Sequence, residues 1–191
     1  MSNENAEVIR TCKIDSNLLA NYTKYNFYKG FDCTLEVINR YYQDNLKRAL
    51  KSENVMGIGA VSEENNLIGF CTVTLCDLDK PRVRTFLPEG NVLPQVPVVK
   101  LAMLGVDSKY QGFGIGQKLL MKAFEQSLKV HSYIPIKGMF LDAAPGAVSF
   151  YESLGFEKLD DADDSGSTPM FLHIKYVKAA VQMSSTVAIN S

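Results

Sequence analysis

Two spacings of apolar side chains divide this chain into strands and helices. In "VIRTCKI" (8–14) apolar and polar residues alternate, as along a half-buried strand. Leu35, Ile38, Tyr42, Leu46 and Leu50 instead return every third or fourth residue, the spacing of one helix face. "VMGIGAV" (55–61) and "LIGFCTVTLC" (67–76) are strand-like runs on either side of the polar "SEENN", a connector short enough for a hairpin. "VVKLAMLGV" (98–106) is apolar almost throughout, which predicts a central strand buried on both faces. Ile115, Leu119, Phe124 and Leu128 then mark one side of a helix. "GMFLDA" (138–143) reads as a strand, "GAVSFYESL" (146–154) as a short helix and "TPMFLHIKY" (168–176) as a late strand. The proline-rich 77–97 and the acidic 160–169 read as surface connections.

Antiparallel strands followed by a strand, a helix and another strand predict an α/β chain with a mixed sheet and helices upon it. Its 191 residues suit one core, so the expectation is a single domain over 1–178 with a C-terminal tail over 179–191.

Composition narrows the function classes. With 46% hydrophobic and 21% charged residues, and no apolar run near the ~20 that a membrane helix needs, the chain is expected to be a soluble protein without a membrane partner. "MSNENAEVIR" lacks the pattern of a secretory signal, so a cytoplasmic location is expected. Twenty basic against twenty-one acidic side chains give no excess for binding polyanions. Cys12, Cys33, Cys71 and Cys76 form no CxxC pair and no metal-ligand spacing with histidine, which predicts free thiols and no metal.

"YQGFGIGQKLL" (110–120) places glycines at 112, 114 and 116 between the central strand and a helix. A dinucleotide fingerprint needs a further glycine where Leu119 stands, and a Walker loop needs Gly-Lys before Ser or Thr, whereas Gly116 precedes Gln117 and Lys118. Two readings stay open. The loop brings backbone close to an anion such as pyrophosphate, beside the unpaired N–H groups of the first helical turn, or it is a turn for tight strand-to-helix packing.

Taken whole, "LGVDSKYQGFGIGQKLLMKAF" resembles motif A of the GNAT superfamily of acetyl-CoA-dependent N-acetyltransferases: V, four residues, Q or R, two residues, then GxG or GxA. Val106, Gln111, Gly114 and Gly116 fall on it in register, and "AVSFYESLGF" (147–156) resembles motif B. The resemblance covers about residues 98–157. It implies a GNAT-like fold, a central mixed β-sheet flanked by helices, and acetyl-CoA as acetyl donor. The cofactor set it implies is Leu104, Gly105, Val106, Gln111, Gly112, Phe113, Gly114, Ile115, Gly116 and Ser149. Pyrophosphate would lie on the N–H groups of Gly112 to Gly116, and the pantetheine arm in a gap where the central strand splays from its neighbour. N–H groups around Leu104 to Val106 would polarise the acetyl carbonyl. Ser149 would replace an asparagine of the family pattern, which is Ala144 here.

The same resemblance makes Tyr151 the catalytic candidate, a general acid for the departing thiolate, since a phenol near pKa ~10 can protonate a thiol of ~8.5. Its other reading is a core tyrosine beside Phe150 and Phe156. No carboxylate occurs in "VVKLAML", and Glu89 and Asp107 read as solvated loop residues, so the base is expected to be a water chain, or the amine arrives neutral. His131 and His173 read as structural, and Arg82 and Arg84 as a solvated loop.

"FDCTLEVINRYY" (31–42), "PVVKLAMLGVDSKYQGFGIG" and "STPMFLHI" are also similar to the GNAT toxins of bacterial toxin-antitoxin pairs, which acetylate aminoacyl-tRNA. Net charge -1 favours a primary amine of a small molecule or protein as acceptor, with aminoacyl-tRNA as the alternative. A non-catalytic acyl-CoA-binding module is a third reading, motivated by the missing carboxylate and asparagine. The partners thus expected are the amine acceptor, a homodimer mate and, if toxin-like, an antitoxin or tRNA.

Overall fold

The structure, a computed structural model, describes residues 9–14, 25–88, 90 and 93–189. Val8 and Glu89 lie outside the described residues. The strands are β1 (Arg10–Ile14), β2 (Asn26–Phe27), β3 (Met56–Val61), β4 (Asn66–Asp79), β5 (Gln95–Val106), β6 (Gly138–Ala143), β7 (Glu157–Lys158) and β8 (Thr168–His173). The helices are α1 (Glu36–Arg40), α2 (Leu46–Lys51), α3 (Lys80–Val83), α4 (Ile115–Tyr133), α5 (Val148–Glu152) and α6 (Ile174–Ile189).

Among the described residues the sheet has eight strands in the order β1-β3-β4-β5-β6-β8-β7, with β2 paired to β4. It is mixed: β5 and β6 are parallel, while β1 with β3, β3 with β4, β6 with β8 and β7 with β8 are antiparallel. A parallel pair needs a long crossover, and α4 supplies it.

Contacts divide the chain into two compact units, Met1–Val73 with Met103–Ala123, and Thr74–Ala102 with Phe124–Ser191. In the first, Ile14, Phe31, Ile38, Tyr42, Leu46, Leu50, Leu67 and Phe70 form a buried cluster. Phe31 stacks on Tyr42 with ring centroids 4.1 Å apart. The Tyr42 hydroxyl accepts from the Tyr28 N–H (2.8 Å) and donates to the Leu67 carbonyl (3.2 Å), so its buried oxygen is satisfied. The expected helix over 35–50 forms with one change, a π-helical turn at Tyr41–Asn45 between α1 and α2. Successive spacings of four drift around a helix of 3.6 residues per turn, and a wider turn takes up that drift, so Tyr42 and Leu46 both stay buried.

In the second unit, Leu78, Val83, Leu87, Val96, Val98, Phe140 and Phe171 form the core cluster. β4 and β5 reach further into 77–97 than the sequence suggests, closed by the Lys80 N–H to the Pro94 carbonyl at 2.9 Å. Pro81 sits in the first turn of α3, where its missing N–H costs no helical bond. Lys100, the one charge within "VVKLAML", pairs with Asp142 at 2.8 Å and lies 5.2 Å over the Phe140 ring.

The late strand stops at His173 rather than Tyr176. There the His173 Nδ1 accepts the Lys175 N–H at 3.0 Å and starts α6, which runs through most of the expected tail. Ile174 and Val177 are buried, so an apolar edge holds that helix. All four cysteines are free thiols; Cys33 and Cys71 are buried and Cys12 and Cys76 half-buried. Burial pushes the Cys71 thiol up to about 12. No helix among the described residues is long and apolar enough to cross a membrane.

Candidate functional site

The glycine loop adopts a backbone that only glycine takes easily. Gly112 has φ +82° and Gly114 φ +73°. A Cβ on Gly112 would meet nothing within 4 Å, and one on Gly114 only the Gln117 Oε1 at 3.8 Å. The glycines are therefore required by conformation and not by packing, which removes the tight-packing reading at these two positions. The Gly114 carbonyl accepts the Lys118 N–H at 3.0 Å, so the preceding N–H groups of Ile115, Gly116 and Gln117 have no acceptor within α4. Two αL glycines and an open helix start give this loop the backbone that an anion cradle needs. Ile115 is buried and anchors the helix, whereas Phe113, between the two glycines, is 70% exposed.

Gln111 holds the loop in place. Its side-chain amide donates to the Val106 carbonyl at 2.9 Å and to the Cys33 carbonyl at 3.2 Å, so both its N–H groups are engaged by the chain itself. Asp107, expected to be solvated, is instead 1% exposed. Its carboxylate accepts the N–H groups of Asp32 and Lys109, both at 3.1 Å, because an Asp before a 3-10 turn (Ser108–Tyr110) caps it. The Ser108 N–H returns to the Asp32 carbonyl at 2.7 Å. Residues 32–33 are thus tied to 106–111 by three hydrogen bonds, Asp107 with Asp32, Ser108 with Asp32 and Gln111 with Cys33, while Gln111 with Val106 closes the loop on itself.

At the end of β5, Gly105 and Val106 are buried, whereas Met103 and Leu104 are only half-buried despite being apolar. A Cβ on Gly105 would come within 2.7 Å of Ile38 and 3.3 Å of Phe31 and Phe70, so this glycine lets α1 lie close on the strand. The parallel register with β6 covers Val99–Leu101 against Met139–Leu141, and β5 runs on to Val106.

Tyr151 and Ser149 belong to the second unit, on α5. Tyr151 is buried and meets Phe150 (5.0 Å) and Phe156 (5.7 Å) edge to face. That packing fixes the ring, as its core reading requires, and is compatible with a working hydroxyl. Ser149 is exposed and Ala144 half-buried. The His131 Nδ1 lies 3.0 Å from the Ile136 carbonyl and His173 caps α6, so both histidines have structural partners. Arg84 donates to the Pro88 carbonyl at 3.1 Å, and Arg82 lies 5.9 Å over Phe140. Among the described residues no group of three or more His, Cys, Asp or Glu is placed to hold a metal.

Sequence reasoning missed the burial of Asp107 and the part played by Asp32 and Cys33. The Asp-Ser-Lys turn directly after an apolar strand was the available signal for the first; the second depends on a contact 75 residues apart in the chain.

Comparison with known proteins agrees with this geometry. The model of the acetyltransferase (GNAT) domain matches residues 57–158, more than half of the chain. A bacterial toxin of known crystal structure is 35% identical, over 92% of this chain and 96% of that one, with a TM-score of 0.84. The toxin AtaT, solved with acetyl-methionyl-tRNAfMet, is 20% identical over 91% of this chain and 99% of its own, with a TM-score of 0.73. AtaT bound to acetyl-CoA and the C-terminus of the antitoxin AtaR gives a TM-score of 0.70 at 19% identity, over 92% of this chain and 99% of that one. With the domain matched across the anion cradle and both motifs, the chain belongs to the GNAT acetyltransferase family and is an acetyl-CoA-dependent acetyltransferase.

Proposed function

We propose that the acceptor is the amino group of an aminoacyl-tRNA, so that the chain acts as a toxin-type acetyltransferase. The observation that carries this reading is the 35% identity to a bacterial toxin over nearly the full length of both chains. The AtaT complex with acetyl-methionyl-tRNAfMet supplies the acceptor chemistry by analogy. Net charge -1 favours a small-molecule or protein amine, but an even total leaves room for local charge. In the second unit Lys137, Lys175 and Lys178 lie near enough to His173 for their charges, after desolvation, to lower its pKa. Such a cluster attracts phosphate whatever the net charge.

In this reading the pyrophosphate of acetyl-CoA rests on the backbone of Gly112 to Gly116, and N–H groups around Leu104 to Val106 polarise the acetyl carbonyl. Tyr151 protonates the departing thiolate. The amine arrives neutral or loses its proton to water. An antitoxin segment and a second copy of the chain are its expected protein partners, the former by analogy with AtaT and AtaR.

The test is transfer from radiolabelled acetyl-CoA to charged total tRNA, to the same tRNA after deacylation, and to a panel of polyamines, other small primary amines and lysine-containing peptides. Label on charged tRNA alone is expected. Label on the amines or peptides but not on charged tRNA overturns the reading in favour of a small-molecule or protein amine.

A further inference from the structure

Charge in the second unit is segregated along the chain. Residues 126–141 and 165–191 contain four lysines, Lys129, Lys137, Lys175 and Lys178, and no Asp or Glu, whereas 157–164 carries five carboxylates. Folding brings the two acid-free segments together. Gly138 of β6 pairs with His173 of β8, and the Ile174 N–H donates to the Lys137 carbonyl at 2.9 Å, so Lys137 lies beside the start of α6. On α6, Lys175, Lys178 and Gln182 recur at spacings of three and four and share one stripe of the helix. All three are exposed, as is Lys137. The Lys175 ammonium rests 4.6 Å from the centroid of the Tyr176 ring. Lysines that pair in this unit do so elsewhere, Lys100 with Asp142 and Lys158 with Glu152. Among the described residues Lys137, Lys175 and Lys178 are in no ion pair. Lys175 also stands in the first turn of α6, with no acid beside it, and faces the positive end of the helix dipole, which costs stability. The needs of the fold therefore do not explain this accumulation of charge.

We propose that Lys137, Lys175 and Lys178, with Gln182 beside them, grip the sugar–phosphate backbone of the acceptor RNA several nucleotides from its aminoacyl end. This rests on the proposed aminoacyl-tRNA acceptor and adds the surface that holds the RNA body. β6 runs from Gly138 at this surface to Ala143, where the chain turns toward α5, and its length is roughly 17 Å at about 3.3 Å per residue. Contacts at its start therefore fall on the backbone and not on the reacting amine. Such contacts fix the register and orientation of a nucleic acid without reading its sequence. Three ammonium groups with no carboxylate among them repel one another in the free protein, and phosphates relieve that repulsion. A protein partner fits less well, because the centres of protein interfaces are depleted in lysine.

The test is a triple variant, Lys137→Gln, Lys175→Gln and Lys178→Gln together, beside a control that removes the same charge from the first unit, Lys13→Gln, Lys47→Gln and Lys51→Gln. Each is assayed with charged total tRNA and with a charged CCA trinucleotide, which carries the amine without the RNA body. For the triple variant the KM for charged tRNA is expected to rise at least tenfold at parental kcat, while the KM for the trinucleotide stays parental. The dependence of log KM on log salt should become shallower by about 2–3, since each lost phosphate contact removes about 0.7–0.9. Melting at or above the parent temperature is expected too. A parental KM for charged tRNA, an equal rise in the control or with the trinucleotide, or a lower melting temperature overturns the proposal. Parental tRNA kinetics with loss of poly-glutamate binding assigns the surface to an acidic protein and overturns it as well. A parent that binds acetyl-CoA yet acetylates neither RNA acceptor overturns the proposed function itself, an outcome distinct from parental kinetics in the triple variant.

Discussion

The buried carboxylate of Asp107 accepts the backbone N–H of Asp32, 3.1 Å from its Oδ2, and so ties the anion loop to the segment that leads into α1. The same side chain caps the turn at Lys109 with its other oxygen. Asp107→Asn keeps the shape but turns an amide N–H toward one of these donors. Stability should fall by about 1–3 kcal/mol, the usual cost of leaving a buried group unpaired. Chemical denaturation measures the loss, and acetyl-CoA titration should register weaker binding as the loop loosens.

Gly114→Val tests the cradle. A Cβ there has room, so the cost comes from φ +73°, a conformation a β-branched residue adopts poorly. The variant should fold, with acetyl-CoA affinity reduced at least tenfold. Affinity equal to that of the parent would remove the loop from the binding site.

Tyr151→Phe keeps the edge-to-face contacts with Phe150 and Phe156 and removes only the hydroxyl. The melting temperature should move little. Loss of a general acid typically costs about 10²–10⁴ in rate, so kcat should fall by that order while acetyl-CoA affinity holds. An unchanged kcat would leave Tyr151 a core aromatic.

His173 makes stability depend on pH. Desolvation first, then Lys175, Lys137 and Lys178, hold its pKa below the ordinary 6.5. The unfolded chain therefore binds more protons between the depressed folded value and 6.5, and stability falls as pH drops through that window. Protonation also turns Nδ1 into a donor, which breaks the cap on α6 at Lys175. Melts at pH 7.5 and 5.5 should differ more for the parent than for His173→Asn, whose side chain offers an acceptor that does not titrate.

The sequence by itself determined the order of the longer strands and helices up to the late strand, though not β2, α3, β7 or α6, because the apolar spacing of each long segment reflects which face it buries. It determined the GNAT motifs too, since Gly112 and Gly114 are dictated by local backbone angles and Gln111 by its place in the loop. Element ends were less legible. The strand expected over 168–176 gives way at His173, where a side-chain cap competes with strand pairing, and α6 forms because Ile174 and Val177 find a surface to bury against. What only the tertiary structure decided are relations between distant segments. Asp107 reads as a surface acid until the Asp32 N–H arrives from 75 residues away. Burial and hydrogen bonding belong to pairs of segments, and no local pattern encodes the second member of the pair.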